Sequence, residues 1–252
     1  MLIAAAANKV RPPVVAQGLI RSLRGGSHAH LFKCDDDRCY AVKFRGNPHG
    51  NGRGIFNEQV VALIGKLIGA PVPEVRRVTV TAEPLASLRI DLGGRPAEPG
   101  LQHGSCWAEG FSEKQDLFQY PGRNREAFAT LQLLYSLLVC IADYQVIYRN
   151  TEPYDVLSVD HALFLPWATG WTAQGLRGFG DSVSLDTAFG PLGLTAGEYA
   201  PALDRLAAIS LEQIAEVAAT PPAEWEISGD DRVAFAEFVQ RRRIKLLESF
   251  CR

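Results

Sequence analysis

The 252-residue chain is 47% hydrophobic and 21% charged, with a formal net charge of −2 and a sequence pI near 6.2. That balance supplies a real core and excludes disorder as the main state. It also argues against a dedicated nucleic-acid binder, which would carry a basic footprint. The length admits one large domain or two lobes sharing a cleft. The five cysteines, Cys34, Cys39, Cys106, Cys140 and Cys251, are scattered and show no paired CxxC spacing, so reduced thiols and a cytoplasmic setting are expected. Cys34 and Cys39 flank a turn and could face each other across a hairpin. Met1 to Ala7 is apolar but lacks a basic start, and no run approaches the ~20 apolar residues of a membrane span; no membrane association is expected.

In chain order, Val14 to Leu23, Ala29 to Cys34 and Cys39 to Phe44 read as three strands. They are joined by Gly25-Gly26-Ser27 and Asp35-Asp36-Asp37, turn chemistry that predicts an antiparallel meander. A Gly- and Asn-rich loop from Gly46 to Gly54 precedes a helix over Ile55 to Ile68, where Val60, Leu63, Ile64 and Leu67 recur at helical spacing and Gly69 sits at the C-cap position. Glu74 to Thr81 is a strand. Pro84 to Gly104 reads as a loop with one strand at Leu88 to Leu92, followed by a strand over Ser105 to Phe111. Glu126 to Ala142 is a strongly apolar helix, Val156 to His161 a short strand, and Leu203 to Ala219 and Asp231 to Phe250 are helices, the last behind the capping residues Ser228 and Asp230. Arg241, Arg242 and Arg243 read as the solvated face of that last helix. Strands first and helices after argue for an α+β arrangement.

Three places carry chemistry. The glycines of Arg24-Gly25-Gly26-Ser27-His28 let backbone N–H groups approach phosphate oxygens, and Lys43 on a neighbouring strand would neutralise them. Glu58, near the start of the following helix, has the spacing to pair with that lysine. Asp143, where the apolar helix runs out, either lies in a cleft or caps the next turn. Asp160, delivered with His161 at the end of a short strand, is a hard oxygen ligand suited to Mg²⁺.

The ordered set Gly25-Gly26-Ser27, Tyr40-Ala41-Val42-Lys43-Phe44, Asn47-Pro48-His49-Gly50, Asn57-Glu58 and Leu67-Ile68-Gly69-Ala70-Pro71-Val72-Pro73 resembles the N-lobe of small HipA-like kinase domains. The resemblance continues through Ala142-Asp143-Tyr144-Gln145, Tyr148, Ser158-Val159-Asp160-His161-Ala162-Leu163-Phe164-Leu165-Pro166 and Pro222-Ala223-Glu224-Trp225, then the helix with Arg241-Arg242-Arg243, with Pro84 to Gly104 poorly matched. It implies a two-lobed, protein-kinase-like α+β fold: residues 1–111 as a β-rich N-lobe with one helix, residues 112–252 as a helical C-lobe bearing catalytic and metal-binding loops. It implies ATP and Mg²⁺ between the lobes and phosphoryl transfer to a protein Ser or Thr hydroxyl. Carried over by residue, Lys43 holds phosphates, Glu58 orients Lys43, and Asp143 with Gln145 serves the acceptor hydroxyl. Asp160 and Asn150 would hold metal, Gly25, Gly26 and Ser27 cover the phosphates, and Ala108 and Gly110 touch the nucleotide.

The chain departs from the pattern at Tyr148, where an asparagine would hold a second metal; Asn150 stands two residues late. Tyr144 replaces a histidine and Ala162 a glycine. A competing register puts Asn150 in the aspartate's place and Asp155 in the asparagine's, which implies an inactive fold. Two other readings therefore stand beside the protein kinase: a catalytically impaired scaffold that binds nucleotide and an unidentified partner protein, and a small-molecule kinase. Trp107, Phe111, Trp167 and Trp171 would line an acceptor pocket in the last case, or belong to the core.

Overall fold

The structure, a computed structural model, describes residues 2–47, 52–83, 85, 90, 92–113, 121–142 and 145–251. Asp143 and Tyr144, the Pro48-His49-Gly50 stretch and most of the expected strand at 88–92 lie outside the described residues.

After a short helix α1 (Leu2–Ala7), strands β1 (Val14–Ser22), β2 (His30–Cys34) and β3 (Cys39–Lys43) pair antiparallel in sequence. The expected meander then closes into a five-stranded barrel of order β1-β2-β3-β5-β4. Strand β4 (Val75–Val80) runs parallel to β1, and β5 (Gly100–Cys106) lies antiparallel between β3 and β4. The stretch from 100 to 104, expected as loop, is thus the strand that completes the barrel. Its composition hides this: Gly100 and Gly104 are poor strand formers, but Gly104 faces Val78, where a Cβ would come within 2.5 Å of the valine side chain.

Period-2 alternation assigns the side chains of β3. Tyr40 and Val42 are fully buried in the barrel with Phe32, Phe44 and Val78, while Cys39, Ala41 and Lys43 point the other way. Helix α2 (Gly52–Ile68) lies on that outer side. Gly69 ends it at φ +78, with the Ala70 N–H bonding back to the Gly65 carbonyl, a left-handed terminus that glycine adopts freely. The apolar side chains of α2, among them Phe56, Val60, Ile64 and Ile68, join the larger core made by the helical half.

Helix α3 (Pro121–Leu138) stops four residues short of the expected Ala142, because Val139 takes φ +59. Strand-like residues then form a small sheet of β6 (Phe111–Glu113), β7 (Val146–Arg149) and β8 (Val156–Ser158). Helices α4 (Ala173–Gly178), α5 (Ala196–Ala208), α6 (Leu211–Ala219) and α7 (Gly229–Phe250) complete the chain. The single helix expected over 203–219 is two, broken at Ile209 where Ser210 starts α6 through a capping box with Gln213. The arginine triplet departs from the expected solvated face. Arg242 is 4% exposed and donates to the Ser136 and Leu137 carbonyls at 2.6 and 2.8 Å, so it is no solvated face.

All five cysteines are free thiols, Cys34 and Cys39 included. Among the described residues, no helix is long and apolar enough to cross a membrane.

Candidate phosphoryl-transfer site

Lys43 leaves the barrel pointing at α2, and there its ammonium meets two carboxylates. It forms a short ion pair with Glu58 of α2 and another with Asp160 Oδ1 at 2.6 Å, from the segment after β8. Glu58 is 2% exposed, the Lys43 side chain 12% and Asp160 22%, so the carboxylate of Asp160 is the one that keeps contact with solvent. The other oxygen of Glu58 accepts the backbone N–H of His161 at 2.9 Å. One glutamate therefore fixes both the strand lysine and the turn that presents the aspartate. That turn depends on Asp160 adopting φ +61, a left-handed conformation that aspartate tolerates better than most residues.

Electrostatics follow from this packing. Burial disfavours the ammonium of Lys43, but the carboxylates of Glu58 and Asp160 outweigh it and hold its pKa above the ordinary value. Asp160 is pushed the other way: burial and the nearby Glu58 raise its carboxyl pKa although Lys43 opposes them. One cation between two anions leaves the cluster short of positive charge. A divalent ion suits that shortfall, since Mg²⁺ takes one or two carboxylates and completes its shell with waters and phosphate oxygens. Among the described residues no three His, Cys, Asp or Glu side chains converge as a metal cage.

Two buried histidines flank the cluster uncharged. His161 has its pKa lowered to about 3, by burial and by Lys43, and shares a 3.0 Å hydrogen bond with Ser158, which meets the Tyr135 hydroxyl at 2.6 Å. His103 pairs opposite Lys43 in the β3–β5 register and is likewise held well below the usual value by burial and then by Lys43. Its Nδ1–H donates to Gln59 Oε1 at 2.9 Å.

Asn57, next to Glu58, was visible in the sequence only as part of a motif. Fully buried, it donates from Nδ2 to the carbonyls of Ala162 (2.8 Å), Phe164 (2.7 Å) and Ala168 (3.2 Å), and accepts the Trp171 indole N–H at 2.9 Å. An amide inside an apolar helix is out of keeping with helix propensity, and that was the signal available: such a residue needs tertiary partners. A second tie comes from the 3₁₀ turn Ala223–Trp225. The Trp225 indole donates to the Leu101 carbonyl of β5 at 2.8 Å, Glu224 Oε2 accepts the Leu101 N–H at 3.1 Å, and Arg45 donates to the Glu224 carbonyl at 3.2 Å. Gly52, where α2 begins, lies so close to Trp225 that a Cβ there would come within 1.9 Å of its carbonyl oxygen.

The remaining expected residues fall as follows. Gly25 has φ +133, and the Ser27 carbonyl accepts a short hydrogen bond from buried Asn47, which ties the turn to the end of β3. Ala108 and Gly110 lie in the turn between β5 and β6, where Phe111 N–H bonds to the Ala108 carbonyl and Asn150 N–H to that of Gly110 at 2.7 Å. Asn150 is exposed, and its side chain accepts from the Ser112 hydroxyl rather than meeting Asp160. Asp155, of the competing register, pairs with Arg149 at 3.1 Å. Asp143 is outside the described residues, but its flanks are held: Ile141 N–H bonds to the Leu163 carbonyl at 3.3 Å, and the Gln145 carbonyl accepts Val159 N–H at 3.0 Å. Tyr148 is fully buried in β7. Of the four aromatics, Trp171 is core and Trp167 is 55% exposed, while Trp107 and Phe111 lie beneath Arg21 and Arg149.

No family profile and no curated protein sequence matches the chain. Among solved structures it is similar to the proinflammatory kinase CtkA of Helicobacter pylori, with a TM-score of 0.60 and 13% identity over 95% of this chain and 97% of that one. A weaker likeness is to the Golgi casein kinase with Mn and ADP bound, at a TM-score of 0.49 and 10% identity over 98% of this chain and 75% of that one. The first match establishes a kinase-like α+β fold.

Proposed function

We propose that the chain is an ATP-dependent, Mg²⁺-requiring kinase of the HipA-like type that transfers a phosphoryl group to a Ser or Thr hydroxyl of a protein. The observation that carries this reading is the Lys43 ammonium held between Glu58 and Asp160, with Glu58 also gripping the His161 N–H, in a chain whose fold is kinase-like. In this reading the barrel half (1–111) and the helical half (112–252) are two lobes with the nucleotide between them. Lys43 neutralises phosphate oxygens, Glu58 fixes the lysine, and the turn at Gly25, Gly26 and Ser27 covers the phosphates with backbone N–H groups. A bound Mg²⁺ would offset the negative charge that builds up on the transferred group. Asp160 would hold that ion, and Asp143 would orient the acceptor hydroxyl and take up its proton. Phosphoryl transfer asks mainly for positioning and charge neutralisation, and the network of Glu58 and Asn57 supplies rigidity of that kind.

A second reading, a nucleotide-binding scaffold without transfer activity, is favoured by Tyr148: the position five residues after Asp143 is occupied by a buried core side chain rather than a metal-binding amide. Incubation of the chain with labelled ATP and Mg²⁺, alone and with a generic protein acceptor, followed by mass spectrometry, separates the two. Added phosphate on a Ser or Thr that disappears in Asp143→Asn supports the kinase. ATP binding without transfer to protein supports the scaffold, and label on an added small hydroxyl compound alone would mark a small-molecule kinase.

A further inference from the structure

A concavity of about 570 Å³ lies where the N-terminal segment, α2, β4 and α6 meet, a volume suited to a small organic ligand. None of Lys43, Glu58 or Asp160 lines it. Its wall is nonetheless built from the same helix as the charge cluster, since Gln59, the neighbour of Glu58, is part of the lining.

The charged side chains around it are five cations and two carboxylates. Both carboxylates are already engaged: Glu216 with Lys9 at 2.9 Å, and Glu74 with Arg38 at 2.7 Å and Arg11 at 3.8 Å. Lys66, Arg76 and Arg77 have no carboxylate within ion-pair distance among the described residues; Arg76 and Arg77 donate to the backbone carbonyls of Pro12 and Arg11. Arg77 stands opposite His103 in the β4–β5 register, and directly opposed residues share a face. The His103 ring meets Gln59 of α2, so Arg77 is on the helix-facing side of the sheet, half-buried at the edge of the concavity. Burial, then repulsion from Arg76, lower its pKa, the condition of a cation that lacks an anion. Lys66 adds an exposed ammonium from the last turn of α2.

We infer that this concavity binds a small phosphate-bearing anion, held by Arg77 and Lys66. A guanidinium matches phosphate through paired N–H donors, and a lysine supplies a mobile point charge beside it. The inference stands apart from the kinase reading, because it requires nothing of Lys43.

Isothermal titration of the full chain with pyrophosphate, at low ionic strength and with EDTA to remove divalent ions, tests it. Wild type is expected to bind pyrophosphate at the concavity, and any further equivalent taken by the Lys43 cleft should be unaffected by the two substitutions that follow. Lys66→Gln should weaken binding about fivefold and Arg77→Gln about tenfold, as loss of one charge-assisted contact implies. Lys66 is exposed, so K66Q keeps the fold and carries the test if R77Q does not fold. Absence of binding to wild type at about 10 mM pyrophosphate would overturn the proposal, and so would wild-type affinity in both K66Q and R77Q, which would assign the anion to another site such as the Lys43 cleft.

Discussion

Lys43, Glu58 and Asp160 form a group whose charges do not cancel, and this imbalance makes opposite forecasts for two substitutions. Removing the ammonium in Lys43→Met leaves two carboxylates facing each other with little solvent, a situation that destabilises proteins by about 3 kcal/mol or more. Asp160→Asn removes the carboxylate whose pKa is raised by burial and by Glu58, so its charge is a net burden on the folded state at neutral pH. Without ligand, D160N is expected to melt at or above wild type and K43M clearly below; a D160N protein that melts as low as K43M would show that Asp160 stabilises rather than strains the site. His161 supplies a pH test. Its ordinary pKa of 6.5 falls to about 3 in the fold, so between those values the unfolded chain binds a proton that the native chain refuses. Stability should therefore fall as pH drops from about 6.5 toward 3. In NMR spectra the His161 ring should not titrate between about pH 8 and pH 5.

At the scale of elements, α7 acts as a spine whose arginines finish other helices. Each helix ends with carbonyls that lack an intrahelical partner. Arg242 serves α3 through Ser136 and Leu137, and Arg243 serves α5 through Leu206, Ala207 and Ile209. Arg241 reaches Leu176 of α4, and Arg232 reaches Ala218 and Ala219 of α6. Arg242→Met, which keeps the bulk and removes the donors, is expected to lower stability by about 2–4 kcal/mol in urea unfolding, against less than about 1 kcal/mol for the exposed Lys245→Met. This role could not be read from the sequence, because a run of arginines looks alike whether it faces water or three helix ends. Local patterns fared better. The alternation around Lys43 and the period of α2 sit on single elements, and the sequence placed both within a few residues. The end of α3 was hidden because a valine at φ +59 gives no compositional sign. The break at Ile209 carries a sequence sign in Ser210 and Gln213, three residues apart, but it is masked by a continuous helical period. Strand β7 was too short to register beside the apolar helix before it.

Among the described residues, the two larger apolar cores meet across polar ties. The barrel core, with Phe32, Tyr40, Val42 and Phe44, is separate from the large core that α2 shares with the helices. Between them run the Lys43 ion pairs and the contacts of Glu224 and Trp225 with Arg45 and Leu101. A ligand whose phosphates lie against Lys43 would join the two halves and should stabilise the fold by mass action. At an ATP concentration a hundred times its Kd that gain is about 2.7 kcal/mol, or roughly 5–10 °C in Tm for a chain of this size. The most direct test is a melting-curve titration of wild type and Lys43→Met with ATP, with and without Mg²⁺. Wild type should show a saturable rise of that size that needs Mg²⁺ and is lost in K43M. An unchanged wild-type Tm, or an equal rise in K43M, would contradict that expectation.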